Sequence, residues 1–95
     1  MIRSFKDSRT RGIFEGETPK GLGPDLIKIG RRKLRMIHYA TKLDDLRVPP
    51  GNRLEALERD RRGQHSIRIN DQFRACFRWT ERGAEDVDIT DYHDG

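Results

Sequence analysis

The chain has 95 residues, 33% of them hydrophobic and 38% charged, with one cysteine and a net charge of +4. A third of so short a chain builds one core, so one domain over residues 1–95 is expected; a second domain, a disulfide framework and a Cys/His zinc site are excluded. The longest apolar run, Ala75-Cys76-Phe77, falls far below the roughly 20 residues of a bilayer span, and a cytoplasmic protein without membrane partner or cofactor is expected.

Residues 2–6 alternate apolar and polar side chains, the pattern of a half-buried strand. Asp7 is placed to cap a short helix running to about Glu15. Residues 16–23 carry three glycines and Pro19 and read as a loop. Pro24 followed by Asp25 marks a helix start, since proline's missing N–H is not needed in a first turn and a carboxylate suits the dipole there. The helix is predicted over 24–43. At 100° per residue Lys28, Arg31, Arg32, Arg35 and Lys42 fall within an arc of about 100°, opposite Leu26, Ile27, Ile29, Leu34, Met36, Ile37 and Ala40. Gly30 lies on the packed side, where it permits a close neighbour.

Pro49-Pro50-Gly51 ends the helical part, and the period drops from 3.6 to 2. Residues 53–58 are a predicted strand, 60–63 a polar turn, and 64–69 a strand with Ile67 and Ile69 on one face. Asn70-Asp71 is hairpin chemistry. Phe73, Ala75, Phe77 and Trp79 alternate with Arg74, Cys76 and Arg78 in the clearest strand, and a turn at 81–85 leads to a last strand around Val87 and Ile89. The order of strand, two helices and antiparallel meander predicts an α+β fold, with the helices packed on one face of a twisted sheet. The opposite face is expected to be free, with Arg74 and Arg78 projecting from it.

The charge is unevenly placed. Residues 26–42 hold six bases and no acid, whereas 81–95 hold six acids against Arg82. Arginine supplies 15 of the 20 basic residues, and its planar fork suits phosphate oxygens. A polyanionic partner and a merely solvated surface are both open from charge alone. The ending Thr90-Asp91-Tyr92-His93 adds three proton-competent groups in a row: an imidazole titrating near neutrality, a phenol that donates or stacks, and a carboxylate that orients the imidazole. His38 and Cys76 read as structural residues, His65 starts a strand, and Glu55 and Glu58 suit either a base or pairing with arginines.

Four stretches carry a resemblance. Residues 50–57 (Pro-Gly-Asn-Arg-Leu-Glu-Ala-Leu), 63–74 (Gly-Gln-His-Ser-Ile-Arg-Ile-Asn-Asp-Gln-Phe-Arg), Phe77-Arg78-Trp79 and 87–93 (Val-Asp-Ile-Thr-Asp-Tyr-His) resemble the HigB toxins of the RelE/ParE toxin–antitoxin superfamily. The opening Met1-Ile2-Arg3-Ser4-Phe5 fits as well. The resemblance implies a ribosome-dependent messenger-RNA endonuclease working by metal-free 2′-hydroxyl attack. It implies a HigA-type helix-turn-helix antitoxin, whose complex with the toxin binds operator DNA, and the 70S ribosome and message as partners. Carried over by position, Arg74 stabilises the phosphorane, His93 is an acid or base, Tyr92 stacks or transfers a proton, and Asp91 orients. Lys28, Arg31, Arg32, Arg35, Lys42, Arg68 and Arg78 become candidate contacts to RNA or ribosome. The sequence departs from the pattern where some HigB members carry histidine and lysine and this chain has Glu55 and Glu58; their replacement by carboxylates is expected either to weaken catalysis or to move the base role onto Glu55. A non-cleaving toxin directed at a target such as gyrase, and a plain RNA-binding module, are the alternatives.

Overall fold

The computed structural model describes residues 1–92. Helices α1 (Ser8–Phe14) and α2 (Pro24–Tyr39) precede four strands, β1 (Glu55–Ala56), β2 (His65–Arg68), β3 (Phe73–Thr80) and β4 (Gly83–Asp91). Every neighbouring pair in the sheet is antiparallel, in the order β1-β2-β3-β4. The α+β meander with helices on one sheet face is therefore present.

Its core follows from the alternation of the strands. Ile67, Ala75 and Ile89 stand opposite one another across β2, β3 and β4, and with Ile69, Phe77 and Val87 they meet Ile13 of α1 and Leu26, Ile27, Leu34 and Ile37 of α2. Gly30 is the point of closest approach: a Cβ there would lie 2.9 Å from the Ile89 Cδ1 atom. The α1 start is built as its sequence implies, with the Asp7 carboxylate accepting from Thr10 N–H at 2.7 Å.

The predicted first strand is instead two isolated parallel bridges, Ile2 with Ala84 and Phe5 with Val87. Asp86 explains the break. It adopts φ 54° at a register shift in the β3–β4 ladder, and its N–H is taken by the Ser4 hydroxyl at 2.9 Å. Together the N-terminal segment and α1 close the outer edge of β4: Thr10 Oγ1 accepts from Ile89 N–H and Arg9 donates to Ile89 C=O.

Two further boundaries differ from the sequence reading. Helix α2 stops at Tyr39 because Ala40 turns extended and the Asp45 carboxylate draws in Thr41 N–H, Thr41 O–H and Lys42 N–H. Lys42 accordingly precedes a 3-10 turn, Leu43–Arg47, instead of extending the stripe on α2. The strand predicted over 53–58 pairs only at Glu55 and Ala56, since Arg53 is left-handed (φ 46°) and Leu57 dives into the interior.

Candidate functional site

The sheet face turned away from the helices carries two cross-strand rows. One runs Glu55, Ser66, Cys76, Asp88; the other runs Arg68, Arg74, Thr90. The expectation that this face is free is corrected for the first row, because Ser66 and Cys76 are fully buried and Asp88 is 4% exposed. The physical cause is Arg61. From the 3-10 turn Arg59–Arg61 its guanidinium reaches over the sheet and donates to both Asp88 oxygens at 3.0 and 3.1 Å and to Gln64 Oε1 at 3.1 Å. These bonds to Asp88 strengthen the Arg61 cation, with smaller help from Cys76 and Tyr92, while burial opposes them. Under this cover the Cys76 thiol is pushed up to about 11, chiefly by desolvation.

Arg74, in the second row, is held rather than projecting freely. Its Nε donates to Ser66 Oγ at 2.6 Å, one Nη donates to Arg53 C=O at 2.6 Å, and the Glu55 carboxylate stands 3.9 Å away. Its side chain is 12% exposed, against 45% for Glu55. The shape is a recessed cation with a carboxylate at its solvent edge. Arg68 lies directly across the strand pair from Arg74 and is drawn outward by the Asp71 carboxylate. Like charges placed opposite repel, so this end of the face favours an anion.

The strand-end residues are divided. Asp91 pairs in register with Phe73 and accepts from Gln72 Nε2 at 3.1 Å. Tyr92 is half-buried and lies near enough to Arg61 to act on its charge. His93 lies outside the described residues. Arg78 is separated from Arg74 by Cys76 and the register shift and sits 3.7 Å from Asp86, nearer the other end of β3.

Helix α2 presents a second positive feature. Lys28, Arg31, Arg32 and Arg35 line an open groove of about 340 Å³ with no acid in its walls. Arg31 is partly committed to the fold, donating from Nε to Ile13 C=O and from Nη to Glu17 C=O, both at 2.8 Å. Lys28, Arg32 and Arg35 are exposed.

Comparison with known proteins gives the family. Residues 3–93 match the sequence model of the HigB-like toxins, described as the RelE-like toxin of the type II toxin-antitoxin system HigB. The chain belongs to that family. It is similar to Toxin HigB-1 of Vibrio cholerae, 39% identical over 82 residues that cover 85% of this chain and 86% of that protein. An uncharacterized protein of Haemophilus influenzae is 39% identical over 76 residues, covering 79% of this chain and 75% of the relative. As a type II toxin, this HigB-like chain has an antitoxin for a partner.

Sequence reasoning missed Arg61, Asp88, Ser66 and the Arg53 carbonyl as parts of this face. Alternation places Asp88 outward and therefore wet; only the fold-back of residues 57–64 makes it dry. Among the described residues no group of three His, Cys, Asp or Glu side chains comes together as a metal site, and no helix is long and apolar enough to cross a membrane.

Proposed function

We propose that this HigB-like toxin cuts messenger RNA on the ribosome. A ribose 2′-oxygen attacks the adjacent phosphorus and forms a new P–O bond, the 5′-oxygen bond breaks, and the products are a 2′,3′-cyclic phosphate and a 5′-hydroxyl. The chemistry requires a base for the 2′-proton, an acid for the leaving oxygen, and positive charge on the phosphorane. The observation that supports this reading is the recessed Arg74 guanidinium, oriented by Ser66 and Arg53 on a largely water-excluded face with Glu55 beside it. A preoriented cation of this kind stabilises developing phosphorane charge more than a solvated one does.

In this scheme Arg74 stabilises the phosphorane and Glu55, half-exposed, accepts the 2′-proton. His93 protonates the leaving oxygen, Asp91 orients the imidazole, and Tyr92 stacks on a base. Lys28, Arg31, Arg32 and Arg35, with Lys42, Arg68 and Arg78, contact ribosomal RNA through phosphates. The partners are the 70S ribosome with its message in the cytoplasm, and a HigA-type helix-turn-helix antitoxin whose complex binds operator DNA.

The test is controlled expression in a bacterial host with mapping of messenger-RNA 5′ ends. The wild-type chain should halt growth and generate codon-phased ends, whereas Arg74→Ala and His93→Ala should lower cleavage by about 10²–10⁴-fold and relieve the arrest. Growth arrest without new ends would replace this reading with a non-cleaving toxin acting on a target such as gyrase. Salt-sensitive RNA affinity without arrest would leave a plain RNA-binding module.

A further inference from the structure

Lys33 stands apart from the other bases of α2. It falls on the packed side of the helix, is 8% exposed, and has no carboxylate within ion-pair distance among the described residues. Burial, with Arg32 and Arg68 nearby, holds its amine below the ordinary lysine range. Its hydrogen-bond partner is the Asn52 side chain, with Nζ donating to Oδ1 at 2.5 Å. An apolar side chain would fill such a site without the desolvation cost of an amine, so packing alone gives no reason for lysine here.

Asn52 supplies the reason. It is fully buried, and while its Oδ1 receives Lys33 its Nδ2 donates to Leu46 C=O at 3.2 Å and Val48 C=O at 3.4 Å. One amide thus ties α2 to both ends of the 46–53 segment. The short turn Pro50–Asn52 closes with Asn52 N–H to Pro49 C=O and Arg53 N–H to Pro50 C=O, and leaves Arg53 left-handed at φ 46°, ψ 58°. That conformation is unfavourable for a non-glycine residue, so it holds only where neighbours enforce it. Its consequence is the direction of the Arg53 carbonyl, which receives the Arg74 Nη–H at 2.6 Å.

We propose that Lys33 and Asn52 are positioning residues for Arg74: they fix the turn whose carbonyl, together with Ser66 Oγ, sets the plane of the guanidinium. Two anchors on a planar fork determine where its remaining N–H groups point. One anchor is carried by strand β2 and the other by a turn that α2 holds through a single buried amide. The inference rests on the reading of Arg74 as the phosphate-stabilising group.

The experiment is a two-background cycle of cleavage on ribosomes programmed with a defined message. Lys33→Met should reduce kcat by about 10-fold or more with KM unchanged, as expected when a group acting in the transition state is misplaced by a fraction of an ångström to an ångström. In an Arg74→Met background the same substitution should leave the residual rate unchanged. Equal loss in both backgrounds, or a full rate in Lys33→Met alone, overturns the proposal. If Lys33→Met does not fold, Lys33→Gln, which keeps a donor on a shorter stem, takes its place in the same cycle. The Arg74 Nη–H resonances give a readout independent of cleavage, since Lys33→Met should speed their exchange with solvent and unchanged exchange would refute the positioning role. If the wild-type chain does not cut, yet Lys33→Met speeds this exchange, the nuclease reading alone is defeated.

Discussion

The Arg61–Asp88 pair offers the sharpest energetic test of how the second sheet face is built. The side chains are 17% and 6% exposed, and the pairing is bidentate with Gln64 as a third acceptor. Removing one partner of a buried pair costs about 3–5 kcal/mol, because the survivor keeps a charge out of water with nothing to offset it. The two partners are not equivalent. Asp88 is fixed on β4 between the buried Val87 and Ile89 and cannot leave, whereas Arg61 rides on a turn and can swing into solvent. Arg61→Met should therefore cost the full 3–5 kcal/mol or so, and Asp88→Leu should fall at or below the lower end of that range. Against a total stability of about 5–15 kcal/mol either loss is large, and at about 4–8 °C per kcal/mol the first lowers Tm by roughly 12 °C or more. The double variant Arg61→Met/Asp88→Leu should return to within about 1 kcal/mol of the wild type, since well-packed apolar groups commonly replace a buried ion pair without loss. Urea unfolding followed through Trp79 fluorescence measures all four proteins. Additive losses in the double variant would mean that the pair is not coupled and that something other than Arg61 keeps Asp88 dry.

Two further expectations bear on the fold and on the partner. His38 Nδ1 accepts the Ile2 N–H at 3.1 Å and His65 Nδ1 is buried without a partner among the described residues; both imidazoles are held below the usual 6.5, first by burial and then by the N-terminal ammonium and Arg47 respectively. The unfolded chain then binds protons that the folded chain refuses, so the stability is fully present above pH 6.5 and is lost as pH falls from there through the folded values. His38→Gln/His65→Gln should flatten the stability profile between about pH 5 and 7, and an unchanged slope in equilibrium unfolding would contradict it. For the α2 groove, replacing Lys28, Arg32 and Arg35 with Glu should weaken ribosome binding and leave the melt cooperative. The dependence of log affinity on log salt should become shallower by about one unit for each phosphate no longer neutralised. An unaltered salt slope would remove the groove from the ribosome interface.

How far the sequence carried the fold depended on whether neighbours in the chain were also neighbours in space. The α1 cap at Asp7, the start of α2 at Pro24 and the alternation of β3 are local, and each is where its residues imply. The end of α2 is less local, since it needs Asp45 to reach back to Thr41 and Lys42. The site is less local still. Arg74 was legible as an outward strand residue on the face away from the helices, but its two anchors come from β2 and from a turn 21 residues earlier in the chain. Lys33 is the clearest case: in the sequence it is one more cation in an acid-free run, and although helix spacing sets it on the packed side, away from Arg32, nothing local supplies the amine with an acceptor. The separation comes from helix geometry combined with Asn52, 19 residues on, whose amide gives a buried amine its acceptor. Charge on α2 thus sits in two different settings within one turn, an open groove lined by Lys28, Arg32 and Arg35 and a buried amine at Lys33 bonded to Asn52. A substitution series that treats the basic stripe as a single surface will mix losses of RNA affinity with losses of guanidinium orientation. Only the second should disappear when Arg74 itself is removed.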